Sequence, residues 1–175
     1  NKDVKNLTPI QKHGAMMILH DPATETIEHL KSVYGFEYSN KKGNRESSVL
    51  GSYAATLNLC RLDDGRCAKY IFDVCRMAGF DRKPNGYATY VMRGLRDMYK
   101  LYAENRFDTK MLFAKQLREI TPTILRSRAV TKYPMLEMRT AVSLYLEDIV
   151  VENLGLEQSR KVAGTKVIPI DKATA

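Results

Sequence analysis

The segment ATYVMRGLRDMYKLYAEN, residues 88–105, has a clear helical period. Its large apolar side chains recur three or four positions apart, so they share one stripe of a helix, while basic side chains occupy another face. Strict alternation of apolar and polar residues, which indicates a half-buried strand, is nearly absent from the chain. The segment therefore predicts an amphipathic helix within an all-α fold. Its apolar stripe consists of Val91, Leu95, Met98 and Tyr102.

Helix start and stop signals recur along the chain. Threonine or aspartate followed by proline is typical of an N-cap and a first helical residue, and glycine is typical of the position just after a helix. With apolar residues at helical spacing, these signals predict a compact bundle of about seven helices with short connections. The main predicted boundaries are Thr8-Pro9 to about Leu19, Asp21-Pro22 to Gly35, Asp108 to Ile120, Thr121-Pro122 to about Val130, and Pro134 to Gly155.

A pair of helices is predicted around the turn sequence Asp63-Asp64-Gly65. Residues 49–60 and 67–78 have apolar positions of helical period, and the polar residues 36–45 predict an exposed loop or a short β-like excursion. The pair could be a DNA-binding helix-turn-helix or an ordinary helical hairpin. The hairpin is favoured because the second helix carries side chains typical of a core, namely Cys67, Tyr70, Ile71 and Val74.

Length and composition indicate a globular protein. The chain has 175 residues, 44% hydrophobic and 27% charged, which excludes a wholly disordered chain. Residues 1–156 are expected to form one helical domain, and residues 157–175 a partly ordered tail. No apolar run reaches the roughly 20 residues of a membrane span, and the polar start is unlike a signal peptide, so a cytoplasmic location is expected. Because the chain does not begin with Met, we expect a processed or cut piece of a longer protein.

Positive charge is concentrated in the middle of the chain. The net charge is +8, and residues 66–132 hold the whole excess, with 15 Lys and Arg against 6 Asp and Glu. Three cations of residues 88–105 are spaced i, i+3 and i+7, which places them on one helix face. The cations predicted to form a nucleic-acid-binding surface are Arg66, Lys69, Arg76, Arg93, Arg96, Lys100, Arg126, Arg128 and Lys132.

Such a surface predicts contact with the phosphate backbone of DNA. Lysine and arginine displace counterions from nucleic acid, and the planar guanidinium suits phosphates or base edges. The alternative is that these are ordinary solvated helix faces, whose field Asp73 and Asp97 would dilute. Under the first interpretation, replacing Arg93, Arg96 and Lys100 with glutamine weakens DNA binding without unfolding the domain.

Four tyrosines interleave with these cations and could stack on unpaired bases. Tyrosine at helical spacing more often packs at the edge of a core with its hydroxyl in water, and we favour that interpretation. The four are Tyr87, Tyr90, Tyr99 and Tyr102.

No catalytic, metal or cofactor site is indicated. The chain has no glycine-rich phosphate loop of either common type and no Cys-x-x-Cys pair. The cysteines are predicted to be free thiols in a reducing compartment. We therefore expect neither enzymatic activity nor a cofactor, and a hydrolase would need the histidines to converge on a metal ion. The cysteines are Cys60, Cys67 and Cys75, and the histidines are His13, His20 and His29.

Several short motifs, taken in order, resemble the helical C-terminal region of ParB/sulfiredoxin-like proteins from phages and mobile elements. In residues 1–9 an asparagine, a basic residue and Leu-Thr-Pro lead into a helix. The resemblance covers about residues 1–155. Its other motifs are Asp21-Pro22-Ala23 with Ile27, Tyr34-Gly35-Phe36, Leu50-Gly51-Ser52 with Leu57, Arg93-Gly94-Leu95, Thr121-Pro122 and residues 141–145.

The resemblance implies that this chain is the helical part of a larger protein, without the ParB-like domain itself. No Asp-Gly-x-His-Arg motif is present, so no nucleotide or nuclease chemistry of that domain is carried over. By analogy the chain binds DNA, self-associates or positions the upstream domain. We expect a DNA-binding module with a partition-like or regulatory role. The alternative is a dimerisation or protein-interaction scaffold, which the long apolar final helix and the eight methionines favour.

Overall fold

The computed structural model describes residues 9–19, 21–38, 49–50 and 53–156. Within these residues the fold is all-α, as predicted, with eight α-helices. They are α1 (Pro9–Ile18), α2 (Pro22–Tyr34), α3 (Tyr53–Arg61), α4 (Arg66–Met77), α5 (Thr89–Leu101), α6 (Arg106–Arg118), α7 (Pro122–Lys132) and α8 (Met138–Leu154). Residue 8, predicted to cap α1, and the predicted tail of residues 157–175 lie outside the described residues.

Helices that begin with a capping side chain start where the sequence predicts. Asp21 accepts a hydrogen bond from the Ala23 amide at 2.9 Å, and α2 ends at Gly35, whose φ of 71° is left-handed. Thr121 likewise accepts a hydrogen bond from the Ile124 amide at 3.1 Å and begins α7. The local chemistry of these caps is sufficient to fix the helix starts.

Three predicted boundaries are wrong. Val49–Leu50 form a two-residue strand, β2, that pairs in parallel with Glu37–Tyr38, β1, and α3 starts only after it. Helix α6 starts at Arg106, so Asp108 lies in its first turn, where a carboxylate is also favourable, rather than at the cap. Helix α8 starts at Met138, after a turn that contains Pro134.

Helices α5 and α8 form the most extensive helix contact, and α7 also packs on α8. Gly94 of α5 faces Val142, Asp97 hydrogen-bonds Ser143, and Tyr102 lies near the charge of Asp148. Thr89 and Arg139, in the first turns of α5 and α8, line the same cavity, so the two helices begin at the same end of the bundle. The predicted apolar stripe of α5 is buried, with Val91, Leu95, Met98 and Tyr102 at most 7% exposed.

Gly94 allows the close approach of α5 to α8. A Cβ atom at this position would lie 2.8 Å from Leu146 Cδ1 and 3.3 Å from Val142 Cγ1. Gly94→Val is therefore expected to lower the free energy of unfolding by about 1–3 kcal/mol, the usual cost of overpacking a core. Urea denaturation measures this change, and an unaltered midpoint would show that the two helices can separate without cost.

The α3–α4 pair is a helical hairpin, as favoured from the sequence. Asp63, Asp64 and Gly65 all adopt left-handed backbone conformations, with φ of 52°, 53° and 83°, and reverse the chain direction. The α4 side chains predicted as core, including Ile71 and Val74, are fully buried.

Candidate nucleic-acid interface

A basic cleft of about 480 Å³ opens between α3, α5 and α8. Four cationic side chains line it, and no carboxylate is among the described residues of its lining. The cations are Arg93, Arg96 and Lys100 of α5 and Arg139 of α8, and the remaining lining consists of Asn58, Leu59, Leu62 and Thr89. The i, i+3, i+7 spacing on α5 thus places its three predicted cations in one cavity.

Three of the four cations have no ion pair within the described part of the chain. These are Arg93, Lys100 and Arg139, of which Lys100 and Arg139 are exposed. Thr89 and Arg139 also mark the first turns of α5 and α8, whose amide dipoles add positive potential at this end of the bundle. Their charges are therefore available to an anion in the cleft.

Arg96 is held differently, by a buried polar network. Its guanidinium lies 3.0 Å from the Asp97 carboxylate, which also accepts a hydrogen bond from Ser143 at 2.7 Å. Only 23% of the Arg96 side chain is exposed. Removing Arg96 would leave the buried carboxylate without its counter-charge, so the predicted glutamine variant at this position would confound binding with stability.

The α4 cations do not belong to this cleft, and nearby acidic or aromatic groups engage them. Arg66 pairs with Asp63 at 2.9 Å, and Lys69 pairs with Asp73 at 3.0 Å. Arg76 lies over the Tyr34 ring, with 5.5 Å between the guanidinium carbon and the ring centroid. These three residues were predicted to face phosphates. Each has a partner within the fold, but Asp63 and Asp73 are each shared with a second cation, Arg106 and Lys110 respectively.

Asp73 is the centre of the compensating network on α4. Its carboxylate accepts hydrogen bonds from Tyr34, from Lys69 at 3.0 Å and from Lys110 at 3.3 Å. Burial alone would raise the pKa of Asp73, but these three donors outweigh it and hold the pKa below its usual range. The carboxylate is thus kept charged by groups from three helices.

A carboxyl whose pKa is lower in the folded than in the unfolded state stabilises the fold at any pH above its unfolded-state pKa of about 3.9. This stabilisation is lost as pH falls through the folded-state pKa. Asp73→Asn is therefore expected to lower the urea midpoint near pH 7. The gap to the unaltered protein should close at about pH 2–3. Urea titrations at both pH values measure this, and a gap of equal size at low pH would contradict the assigned role of the charge.

The α7 cations form a third group. Lys132 pairs with Asp148 at 2.7 Å and lies 3.9 Å from Glu152, so it is compensated. Arg126 and Arg128 are exposed and have no ion pair within the described residues, and the charge of Arg126 reaches Tyr90 at the start of α5. Of the nine predicted cations, Arg93, Arg96 and Lys100 line the cleft, and the other six lie on α4 and α7. Contact of the whole set with nucleic acid stays a prediction.

The tyrosines predicted as possible stacking platforms are not accessible to bases. Tyr87, Tyr90, Tyr99 and Tyr102 are 2–8% exposed. Tyr99 donates its hydroxyl hydrogen bond to Asp63, and Arg106 covers its ring at 3.5 Å from the centroid. Burial, helped by Asp63, raises the pKa of Tyr99 to about 12. These rings pack in the core, as the favoured interpretation predicts, but the hydroxyls of Tyr87 and Tyr102 are buried rather than in water.

His13 and the three cysteines are also buried in the fold. His13 is buried and pairs with Glu28 of α2, whereas His29 is exposed, and His20 lies outside the described residues. In the described part of the chain, no three His, Cys, Asp or Glu side chains are grouped to hold a metal ion. All three cysteines are buried free thiols, and burial raises the pKa of Cys60 to about 12 and of Cys67 to about 11.

Arg139 is the member of the cleft that the sequence interpretation missed. It follows the basic segment of residues 66–132 and lies in the first turn of α8, whose start was predicted near Pro134. A cation in a first turn opposes the helix dipole, which favours acidic residues there. Because the sequence predicts a start near Pro134, Arg139 falls beyond the predicted first turn, and no local signal in the sequence marks it.

Comparison with protein-family models, curated proteins and solved structures gives no match. Among the described residues, no helix combines the length and apolar character needed to cross a membrane. The candidate site is therefore argued from the geometry and charge of this chain.

Proposed function

We propose that this protein is a nucleic-acid-binding module that holds phosphate groups in the basic cleft. The observation that carries the proposal is the grouping of four cations in one cavity whose described lining has no carboxylate. Cationic side chains without internal partners gain more from a phosphate than cations already paired with carboxylates. The cleft is thus preferred to α4, although α4 has as many predicted cations.

Phosphate is the preferred anion because arginine predominates in the cleft. Arg93 and Arg139 each present a planar fork of donors, which matches two oxygens of one phosphate, whereas the fork of Arg96 is engaged by Asp97. Arg126 on α7 is exposed, and its charge reaches Tyr90 at the start of α5, so it extends the positive field. A nucleic acid supplies a row of phosphates for such an arrangement, whereas a single carboxylate ligand would leave most of these donors unused.

Fluorescence anisotropy with labelled oligonucleotides of mixed sequence tests the proposal. We expect binding that weakens steeply between about 50 mM and 200 mM salt, because each neutralised phosphate releases counterions. Polyglutamate of similar charge is the control, since it is a polyanion without phosphate. Absence of binding at low salt, or equal competition by polyglutamate, would contradict the proposal.

The biological setting that we propose is a DNA-associated role in a phage or plasmid ParB-like protein, partition-like or regulatory. Its support is the order of short sequence motifs described above, which end in residues 141–145. The reading frame upstream of Asn1 tests this setting, because a ParB-like domain encoded there is expected. An unrelated upstream sequence would remove the setting but leave the phosphate-binding cleft unaffected.

A second candidate function is a dimerisation or protein-docking scaffold. Phe107 and Met111 lie four residues apart on α6 and are 71% and 43% exposed, so they share one solvent-facing stripe. Light scattering of the purified chain tests self-association. A dimer that Phe107→Ser converts to a monomer would favour this function, and a monomer at all concentrations would remove self-association from consideration.

A further inference from the structure

We infer that the basic cleft accepts single-stranded nucleic acid, with one or two nucleotides inside the cavity, in preference to a duplex. The inference rests on the proposed function and deepens it. It depends on the shape of the cleft, on the spacing of its cations, and on the chemistry of the wall that faces them.

The shape is concave. The cleft volume of about 480 Å³ lies within the range of about 300–1,000 Å³ that is typical of sites for small organic ligands. A nucleotide is a ligand of this size. A duplex keeps its bases stacked inside and presents phosphates on its outer surface, so it suits a flat or ridged basic face. A single strand can turn a sugar or a base out into a cavity.

The cations form a row along one wall. Arg93 and Lys100 are seven residues apart on α5, which corresponds to about 10 Å along the helix axis. Phosphates of a stacked strand recur about every 3.4 Å along its axis, so this row spans about three phosphate steps. Arg139, from the start of α8, adds a cation outside that row. The arrangement can follow a short piece of backbone rather than grip one isolated anion.

The facing wall is uncharged. It is formed by the end of α3 and the residue after it, with Leu62 as its half-buried apolar side chain, Leu59 almost fully buried, and Asn58 as an exposed amide. Apolar side chains suit the face of a sugar or base, and an amide can donate to or accept from a base edge. Because the four tyrosines of this region are buried, stacking contributes little, and we expect weak sequence preference with strong salt dependence.

The test compares a labelled strand of about 20 nucleotides without self-complementarity with its own duplex, at one salt concentration. Adenosine monophosphate and inorganic phosphate serve as competitors, because a free phosphate compound presents the same chemistry as a strand. We expect the single strand to bind at least about tenfold more tightly than the duplex, and millimolar mononucleotide to compete only weakly.

Asn58→Glu probes the cavity itself, because it places a carboxylate opposite the cation row without removing a cation. Ser32→Glu is the matched control, an equal charge change at an exposed residue of α2 outside the cleft. We expect Asn58→Glu to weaken single-strand binding about tenfold and Ser32→Glu to change it less than twofold, with both variants folded by circular dichroism.

The outcomes separate the inference from the function on which it rests. Duplex binding equal to or tighter than single-strand binding would overturn the inference and leave nucleic-acid binding standing. Equal effects of the two glutamate variants would also overturn it, because the cleft would then have no special role. Binding of mononucleotide alone, or of no probe, would overturn the proposed function together with the inference.

Discussion

Replacing Arg93, Lys100 and Arg139 together with glutamine is expected to reduce the affinity for a single-stranded oligonucleotide by about 100-fold or more at low salt. Each removed cation forfeits a charge-assisted contact worth about 1.5–3 kcal/mol in isolation, and such contacts are not additive. The slope of log affinity against log salt should fall by about 2, since each lost phosphate contact contributes about 0.7 for a single strand. Arg96 is left in place because it pairs with Asp97.

The matched control removes three cations from α4, as Arg66→Gln, Lys69→Gln and Arg76→Gln. The change in net charge is identical, but these side chains are engaged by Asp63, Asp73 and Tyr34. We expect at most about a threefold loss of affinity, the general effect of lower net charge. Equal losses from the two triple variants would show that binding depends on total charge rather than on the cleft.

Gly86→Ala is expected to lower the free energy of unfolding by about 3 kcal/mol or more, and at worst to prevent folding. A Cβ atom at Gly86 would lie 1.7 Å from the Phe80 carbonyl oxygen and 3.1 Å from that of Lys83. Both are backbone atoms, so relief requires movement of the whole loop between α4 and α5. Urea denaturation measures the loss, and a midpoint like that of the unaltered protein would show that this loop is not packed as described.

Gly14→Ala is the control for that substitution. Gly14 lies inside α1. Apart from its chain neighbours and the backbone of its own helix, no described atom lies within 4 Å of where a Cβ would be placed. Alanine costs less backbone entropy than glycine in a helix, so a gain of up to about 1 kcal/mol is expected. A loss of stability as large as that of Gly86→Ala would mean that the space around the added Cβ atom explains neither result.

Helix boundaries were predictable where a side chain caps the first turn. Asp21 and Thr121 hydrogen-bond to backbone amides two or three residues away, so the signal is contained in a few adjacent residues. Helices α6 and α8 begin after Asn105 and Glu137, neither of which makes a side-chain cap hydrogen bond. Their starts are set by packing against the rest of the bundle, which no local pattern encodes.

The candidate site was predictable in the same partial way. The spacing of Arg93, Arg96 and Lys100 on one helix places them together, because helical geometry relates them directly. The compensation of α4 was only partly visible: Asp73 is four residues from Lys69, but Tyr34 and Lys110 reach it from other helices. Arg139 joins the cleft because α8 begins at the same end of the bundle as α5, which is a tertiary relation.

The account depends on the cleft between α3, α5 and α8 being the place where a polyanion binds. Titrating the single-stranded oligonucleotide into ¹⁵N-labelled protein and following the backbone amide resonances measures this directly. We predict shifts concentrated at Asn58 to Leu62, at Thr89 to Lys100 and around Arg139, with α4 from Lys69 to Arg76 little changed. Shifts centred on α4 or α6, or spread evenly over the molecule, would contradict the account.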